Sequence, residues 1–273
     1  METVDVYRIT DRLDDSTLEA LVTRLESRGK HPRFTKMMDD YFDAMKIESA
    51  ATVLDLGCGT GVAARRIARR TGFAGHITGI DVSPHLTAAA KHLASAEGFE
   101  SVTEFRTGDS QALNLPDASF DAVVAHTLIS HVQHPLAVLR EIARVVKPEG
   151  VVGIFDGDYA SLTFGSDDPL QGKIDDETII NAIVTNPRVM RQIPGLLRDA
   201  GFELSVSFSY VVADIGHADF WTSAIQSFRR LLPKAGAMTE SVAQSWADTM
   251  FKRSEQGVFF GASNYYSFVA RRH

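Results

Sequence analysis

Three glycines at alternate positions, Gly57, Gly59 and Gly61, stand between an apolar run and a helical one, and they narrow the fold more than any other feature. Val53-Leu54-Asp55-Leu56 reads as a buried strand and Ala63 to Arg70 as a helix. A strand that turns through bare glycine into a helix exposes backbone N–H groups and lets a ligand approach the main chain closely. The spacing is G-x-G-x-G, not the G-x-G-x-x-G of a dinucleotide site. His76-Ile77-Thr78-Gly79-Ile80-Asp81 then reads as a short apolar strand ending in a carboxylate, about 26 residues beyond Asp55. That is close to the spacing of a βαβ unit, and a carboxylate at such a strand tip can accept both hydroxyls of a ribose. Val102 to Arg106, Phe120 to Ala125 and Val151 to Phe155 read as three further strands.

Val53 to Gly61 resembles motif I of the class I S-adenosylmethionine-dependent methyltransferases. Arg144-Val145-Val146-Lys147-Pro148-Glu149-Gly150 is similar to that family's R-v-L-k-P-G-G turn, with Glu149 where a glycine is usual. The likeness runs over roughly Lys46 to Phe155 and is to the small-molecule type, such as the methyltransferases of ubiquinone and menaquinone biosynthesis. It implies an α/β fold: a Rossmann-like, doubly wound sheet of seven strands with an antiparallel last strand. Phe202 to Ala213 and Phe259 to Ala270 suit its edge hairpin. The single domain would comprise an N-terminal helical lid (1–50), a cofactor-binding core (51–155) and substrate-side insertions with the sheet edge (156–273). S-adenosylmethionine is the cofactor implied, held by Asp55, Gly57, Gly59, Gly61, Asp81, Asp109 and Ser110. Asp109 would take the adenine amino group, and His126 would contact the methionine moiety through its backbone. Tyr7, Arg24, Arg28 and Phe34 are lid residues that could close over that moiety, and an arginine such as Arg28 could pair with its carboxylate.

Composition limits the partners. A chain of 273 residues with 44% hydrophobic content can bury one substantial core, and a net charge of −7 leaves no general basic surface for nucleic acid. The expected acceptor is therefore a small molecule. No apolar run approaches a membrane span, and Met1-Glu2-Thr3-Val4-Asp5-Val6 is acidic where a secretory signal is basic, so a cytoplasmic location is expected. Cys58 has no second cysteine to pair with and reads as a small packing residue in the glycine loop. No metal-ligand pattern is evident.

Asp14 to Ile47 reads as helical with an interruption near Gly29 to Pro32, and Gly29 is the expected hinge. Asp156 to Gly165 should leave the fifth strand at the ligand-binding edge of the sheet, as a first insertion. Arg188 to Ala200 reads as a helix, and Ala218 to Leu232 with Thr239 to Ser254 as a second, helical insertion. Phe220, Trp221, Phe228, Trp246, Met250 and Phe251 either line an apolar acceptor cavity or form ordinary core. Methyl transfer from a sulfonium needs mainly alignment, and a base only where the nucleophile starts protonated. His126, His131 and Tyr159 are the candidates for that catalytic role. Two other uses of the scaffold stay open: a cyclase, decarboxylase or hydroxylase that uses the cofactor electrostatically, and a protein that binds the cofactor without turnover.

Overall fold

The computed structural model of the protein describes residue 5 and residues 7–273; residues 1–4 and 6 of the N-terminal segment lie outside the described residues. Two helices come first, α1 (Asp15–Lys30) and α2 (Pro32–Met45). The core then alternates β1 (Thr52–Leu56), α3 (Val62–Ala68), β2 (His76–Asp81), α4 (Pro84–Ala96) and β3 (Thr103–Thr107). After β4 (Phe120–His126) come α5 (Pro135–Val145), β5 (Val146–Phe164), α6 (Pro169–Ile183) and α7 (Ile193–Asp199). The chain closes with β6 (Phe202–Gly216), α8 (Thr222–Lys234), α9 (Glu240–Glu255) and β7 (Phe259–Arg272).

Among the described residues the seven strands form one sheet in the order β3-β2-β1-β4-β5-β7-β6. The β1, β2, β3, β4 and β5 neighbours pair in parallel, and β7 runs antiparallel to both β5 and β6. Successive side chains of a strand face opposite sides, so Val53 packs into one core layer and Leu54 into the other. The first layer takes α1, α2, α3, α6, α8 and α9; the second takes α5 and α7. Strand order reverses between β1 and β4, which opens a crevice at their C-terminal ends.

Three expectations need correction. The fifth strand does not stop at Phe155: it continues to Phe164 against β7, because the apolar alternation resumes once the chain passes a bulge. Between the pairs Asp158↔Asn264 and Thr163↔Ala262, residues 159–162 are looped out of the ladder, so only this bulge of the anticipated first insertion leaves the sheet. Gly29 is not the hinge. It lies inside α1, and a Cβ there would come within 2.5 Å of Val62 Cγ1, so glycine serves close approach to α3. The helix breaks instead at His31, whose backbone is extended (ψ 132°) ahead of Pro32. Finally, Arg188 to Ala200 is a short 3-10 turn, Val189–Arg191, followed by α7, rather than one helix.

Glu149 adopts φ +63°, a left-handed conformation that glycine accepts at no steric cost. The turn thus holds a non-glycine residue in a conformation that favours glycine.

Candidate functional site

A cavity of about 460 Å³ opens at the C-terminal end of the parallel strands. One side is built by strand tips. Gly57 follows β1 at φ +72°, donates its N–H to Ile80 O at 2.7 Å, and has no room for a Cβ, which would meet Leu128 Cδ1 at 2.8 Å. Gly59, at φ +51°, turns its N–H onto Asp81 Oδ2 at 2.9 Å, while Asp81 Oδ1 accepts from Ser83 N at 2.9 Å. The Asp81 carboxylate at the end of β2 is thus fixed in plane, with lone pairs left on both oxygens. Desolvation raises its pKa, partly offset by the N–H groups it accepts from. Beyond β3, Asp109 and Ser110 reach the same cavity, and Asp109 Oδ1 caps its own loop by accepting from Gln111 N at 2.9 Å.

The opposite wall comes from the bulge in β5 and from α8 and β7. Because residues 159–162 leave the ladder, Tyr159 and Leu162 project into the cavity beside Trp221, Phe228, Ser263 and Tyr265. His131, in the loop after β4, lies between these walls. Its Nδ1 is 3.0 Å from Asp5 Oδ2, and Tyr7 and Tyr159 pack on its ring with centroids 5.0 and 6.1 Å away. Asp5 is itself buried and also accepts from Thr185 Oγ1 at 2.9 Å. Burial opposes a charge on His131, but Asp5 and then Asp156 outweigh it and hold the imidazole above its ordinary pKa. Burial, with Asp156 nearby, pushes the Tyr159 phenol well up, so Tyr159 is a proton donor rather than a base at neutral pH.

The remaining expected residues lie elsewhere. His126 is buried and absent from this cavity: it stacks on Phe155 at 4.6 Å, takes the edge of Phe34 at 5.1 Å, and shares a hydrogen bond with Tyr41 Oη at 3.0 Å. Desolvation, then Arg28, holds its pKa well below the usual value, so it is neutral. Its Nε2 has no partner and faces a small chamber of about 40 Å³, shared with Asp55, Arg28, Thr127 and the glycine loop. Asp55 Oδ2 accepts from Ala64 N at 3.1 Å, Oδ1 is unpartnered, and burial pushes this carboxyl up to about 7. Gly61 borders neither space; at φ +77° it packs where a Cβ would meet Phe105 at 2.9 Å. Phe34, 1% exposed, also borders the small chamber. Of the aromatic stripe, Trp221 and Phe228 border the cavity, while Phe220, Trp246, Met250 and Phe251 do not.

Arg24 and Arg28, one turn apart on α1, both reach the cavity. Arg28 donates to Thr127 Oγ1 at 3.1 Å and lies 4.8 Å from the Phe34 ring centre, and Arg24 donates to Ser223 Oγ at 2.5 Å. Sequence reasoning missed Asp5, Thr127, Ser263 and Tyr265. Thr127 has φ +55°, and no local pattern marks a threonine for that strain. Among the described residues no cluster of side chains could hold a metal ion, and no helix is long and apolar enough to cross a membrane.

Known proteins align with this arrangement. Residues 54–154 match the family model described as a methyltransferase domain. The methyltransferase GfsG of Streptomyces halstedii is 29% identical over 236 residues, covering 81% of this chain and 77% of that protein. A sterol 24-C-methyltransferase of Gibberella zeae is 41% identical over 110 residues, 40% of this chain, and the aligned stretch spans only 28% of its length. Among solved structures, the phosphoethanolamine N-methyltransferase 2 of Haemonchus contortus, in complex with phosphomonomethylethanolamine and S-adenosylhomocysteine, superposes with a TM-score of 0.61 at 17% identity. That likeness, over 97% of this chain and 60% of the other, concerns the fold. The family model runs from β1 into β5 and the sheet order is completed by β7 and β6, so residues 54–154 form a methyltransferase domain on a Rossmann-like sheet.

Proposed function

We propose that the protein transfers a methyl group from S-adenosylmethionine to a small, largely apolar acceptor. The observation that carries this reading is a single cavity with two unlike walls: glycine backbone, Asp81 and Asp109 on one side, and Tyr159, Leu162, Trp221 and Phe228 on the other. The residues present suit the cofactor. Gly57 and Gly59 bring bare main chain to the edge of the cavity, and Asp81 keeps lone pairs for a ribose diol. Asp109 at the third strand tip suits the adenine amino group. In the small chamber, the unpartnered Asp55 Oδ1 and Arg28 Nε complement an ammonium and a carboxylate, the two charged ends of a methionine moiety.

When bound, S-adenosylmethionine supplies a methyl group on an already activated sulfonium, so the protein's task is alignment and exclusion of water. Trp221, Phe228 and Leu162 shape the acceptor's side, and Tyr265 and Ser263 add polar contacts for orientation. Where the acceptor is a hydroxyl, His131 would remove its proton, with Asp5 on Nδ1 fixing the ring and favouring the charge it gains. His126, enclosed by Phe34, Tyr41 and Phe155, shapes the chamber and the core.

The test is release of S-adenosylhomocysteine from S-adenosylmethionine across a panel of small apolar alcohols, phenols, amines and carbon nucleophiles. Turnover with at least one class is expected. Binding of the cofactor with no release across the panel would count against methyl transfer to such acceptors.

A further inference from the structure

A buried arginine is normally found with carboxylates, because a guanidinium taken out of water without a counter-charge is costly. The chain follows that rule at Arg65: 3% exposed, it pairs with Glu26 at 2.6 Å and with Glu97 at 2.7 Å. Arg24 breaks it. At 8% exposure its one hydrogen bond is to the neutral hydroxyl of Ser223, and its Nε has no partner. It forms no ion pair among the described residues, and a second positive charge, Arg28, stands one turn away. Desolvation and then Arg28 both work against its protonated form, and the aromatic hydroxyls of Tyr7, Tyr265 and Tyr159 are its polar neighbours. Yet an arginine stays protonated at any ordinary pH.

The two guanidiniums face different parts of the cavity. Arg28 touches Thr127 at the tip of β4 and borders the small chamber next to the glycine loop. Arg24 is tied to Ser223 at the start of α8, beside Trp221, and borders only the larger cavity. Arg8 and Arg12 also border that cavity, but both retain solvent contact that carries their charge. If the methionine carboxylate of the cofactor neutralises Arg28, one buried positive charge is left over, and it lies among the apolar residues of the acceptor wall.

We infer that the acceptor is an apolar molecule carrying a carboxylate, and that Arg24 is the residue that binds this carboxylate. A single remaining positive charge calls for a monoanion, and the planar guanidinium fork matches the two oxygens of a carboxylate. Trp221, Phe228 and Leu162 then receive the hydrocarbon part. The inference rests on the methyltransferase reading of the cavity and makes it narrower.

The experiment uses the full chain, octanoate as probe and octanol as its neutral counterpart. S-adenosylhomocysteine is titrated first by calorimetry; failure of the wild-type protein to bind it would overturn the reading of the cavity itself. Each probe is then titrated into the protein saturated with S-adenosylhomocysteine. Octanoate is expected to bind at least about tenfold more tightly than octanol, the scale of one hydrogen bond to a charged group. Arg24→Gln should abolish that preference while changing affinity for S-adenosylhomocysteine by less than about twofold, and Arg24→Lys, which keeps the charge, should retain part of it. Equal binding of the two probes to the wild-type protein, or no binding of octanoate, overturns the inference without needing any variant to fold. A tenfold or greater loss of S-adenosylhomocysteine affinity in Arg24→Gln also overturns it, because the carboxylate served by Arg24 would then be the cofactor's.

Discussion

His126 and His131 stand within one short segment, yet their surroundings assign them opposite work. His126 lies among Phe34, Tyr41 and Phe155, with desolvation holding it neutral, so its ring is part of the core. His126→Ala should cost roughly 3 to 5 kcal/mol of stability, the range for deleting a large buried ring, as read by urea denaturation. His131 borders the cavity with Asp5 behind it. For a hydroxyl acceptor, His131→Ala should lower kcat by ~10²- to 10⁴-fold. A base must be neutral to act, so kcat/KM should rise with pH through a limb above the ordinary imidazole value. The groups facing the ring are Asp5, Asp156, Tyr7, Tyr159 and Arg28; Asp5 raises its pKa most, so Asp5→Asn should move the limb to lower pH. An unmoved limb would show that some other group takes the proton. Asp55 supplies the second pH effect. Its carboxyl is held at about 7 when folded against 3.8 as the reference, so the folded state keeps a proton that the unfolded state has lost. Its contribution to stability is greatest below pH 3.8 and declines as pH rises towards 7. The melting temperature of the wild-type protein minus that of Asp55→Asn should therefore fall between pH 5 and pH 8, and a constant difference would mean that Asp55 ionises normally.

At the scale of elements, α1 is the part whose role the packing redefines. It is held down by the buried Arg65, by Glu26 accepting from Thr60 Oγ1 at 2.7 Å, and by Leu18 and Leu21 in the core. Those contacts join α1 to the glycine loop, so a ligand that orders the loop should also hold α1 down. Trypsin reports this, because cutting after Arg24 or Arg28 requires the helix to lift. S-adenosylhomocysteine should slow these cuts, and Glu26→Ala should accelerate them without ligand. Equal rates with and without ligand would identify α1 as a fixed wall. Periodicity made α1 and α2 legible, since Leu18, Leu21, Met37, Met38 and Tyr41 recur at helical spacing. It fails for α6, where Leu170 and Ile174 are exposed while Gly172 is buried, so no single apolar stripe marks the helix. The extension of β5 was hidden for another reason. Asp156-Gly157-Asp158 reads as a loop, but in the centre of a sheet Asp158 is buried beneath the Arg191 guanidinium at 2.8 Å, and Asp156 accepts the N–H of Ser130 at 3.0 Å.

Over the whole molecule, what the sequence makes legible is the half of the site built by one contiguous stretch. Gly57, Gly59, Asp81 and Asp109 follow successive strands, and parallel topology delivers them to one edge. The opposite side of the cavity is assembled from Asp5, Arg24, Tyr159, Trp221 and Tyr265, which only the closed fold brings together and whose spacing carries no pattern. The contiguous half makes the prediction that depends on the entire cooperative unit. A ligand bound by the folded state alone stabilises it by RT ln(1 + [L]/Kd), about 2.7 kcal/mol at a hundredfold excess over Kd. For a chain of this size that corresponds to a rise in melting temperature on the order of 5 °C. S-adenosylhomocysteine should give such a rise and nicotinamide dinucleotides none, since the loop lacks the spacing that receives a pyrophosphate. Asp81→Ala should lose about 1.5 to 3 kcal/mol of binding, the range for hydrogen bonds to a charged group. At the same ligand concentration its shift should then shrink to about 0.5 to 2.5 °C, and comparing shifts rather than absolute temperatures removes the effect of deleting a desolvated carboxylate. A full shift in Asp81→Ala would show that the carboxylate at the end of β2 serves the loop through Gly59 and not the ligand.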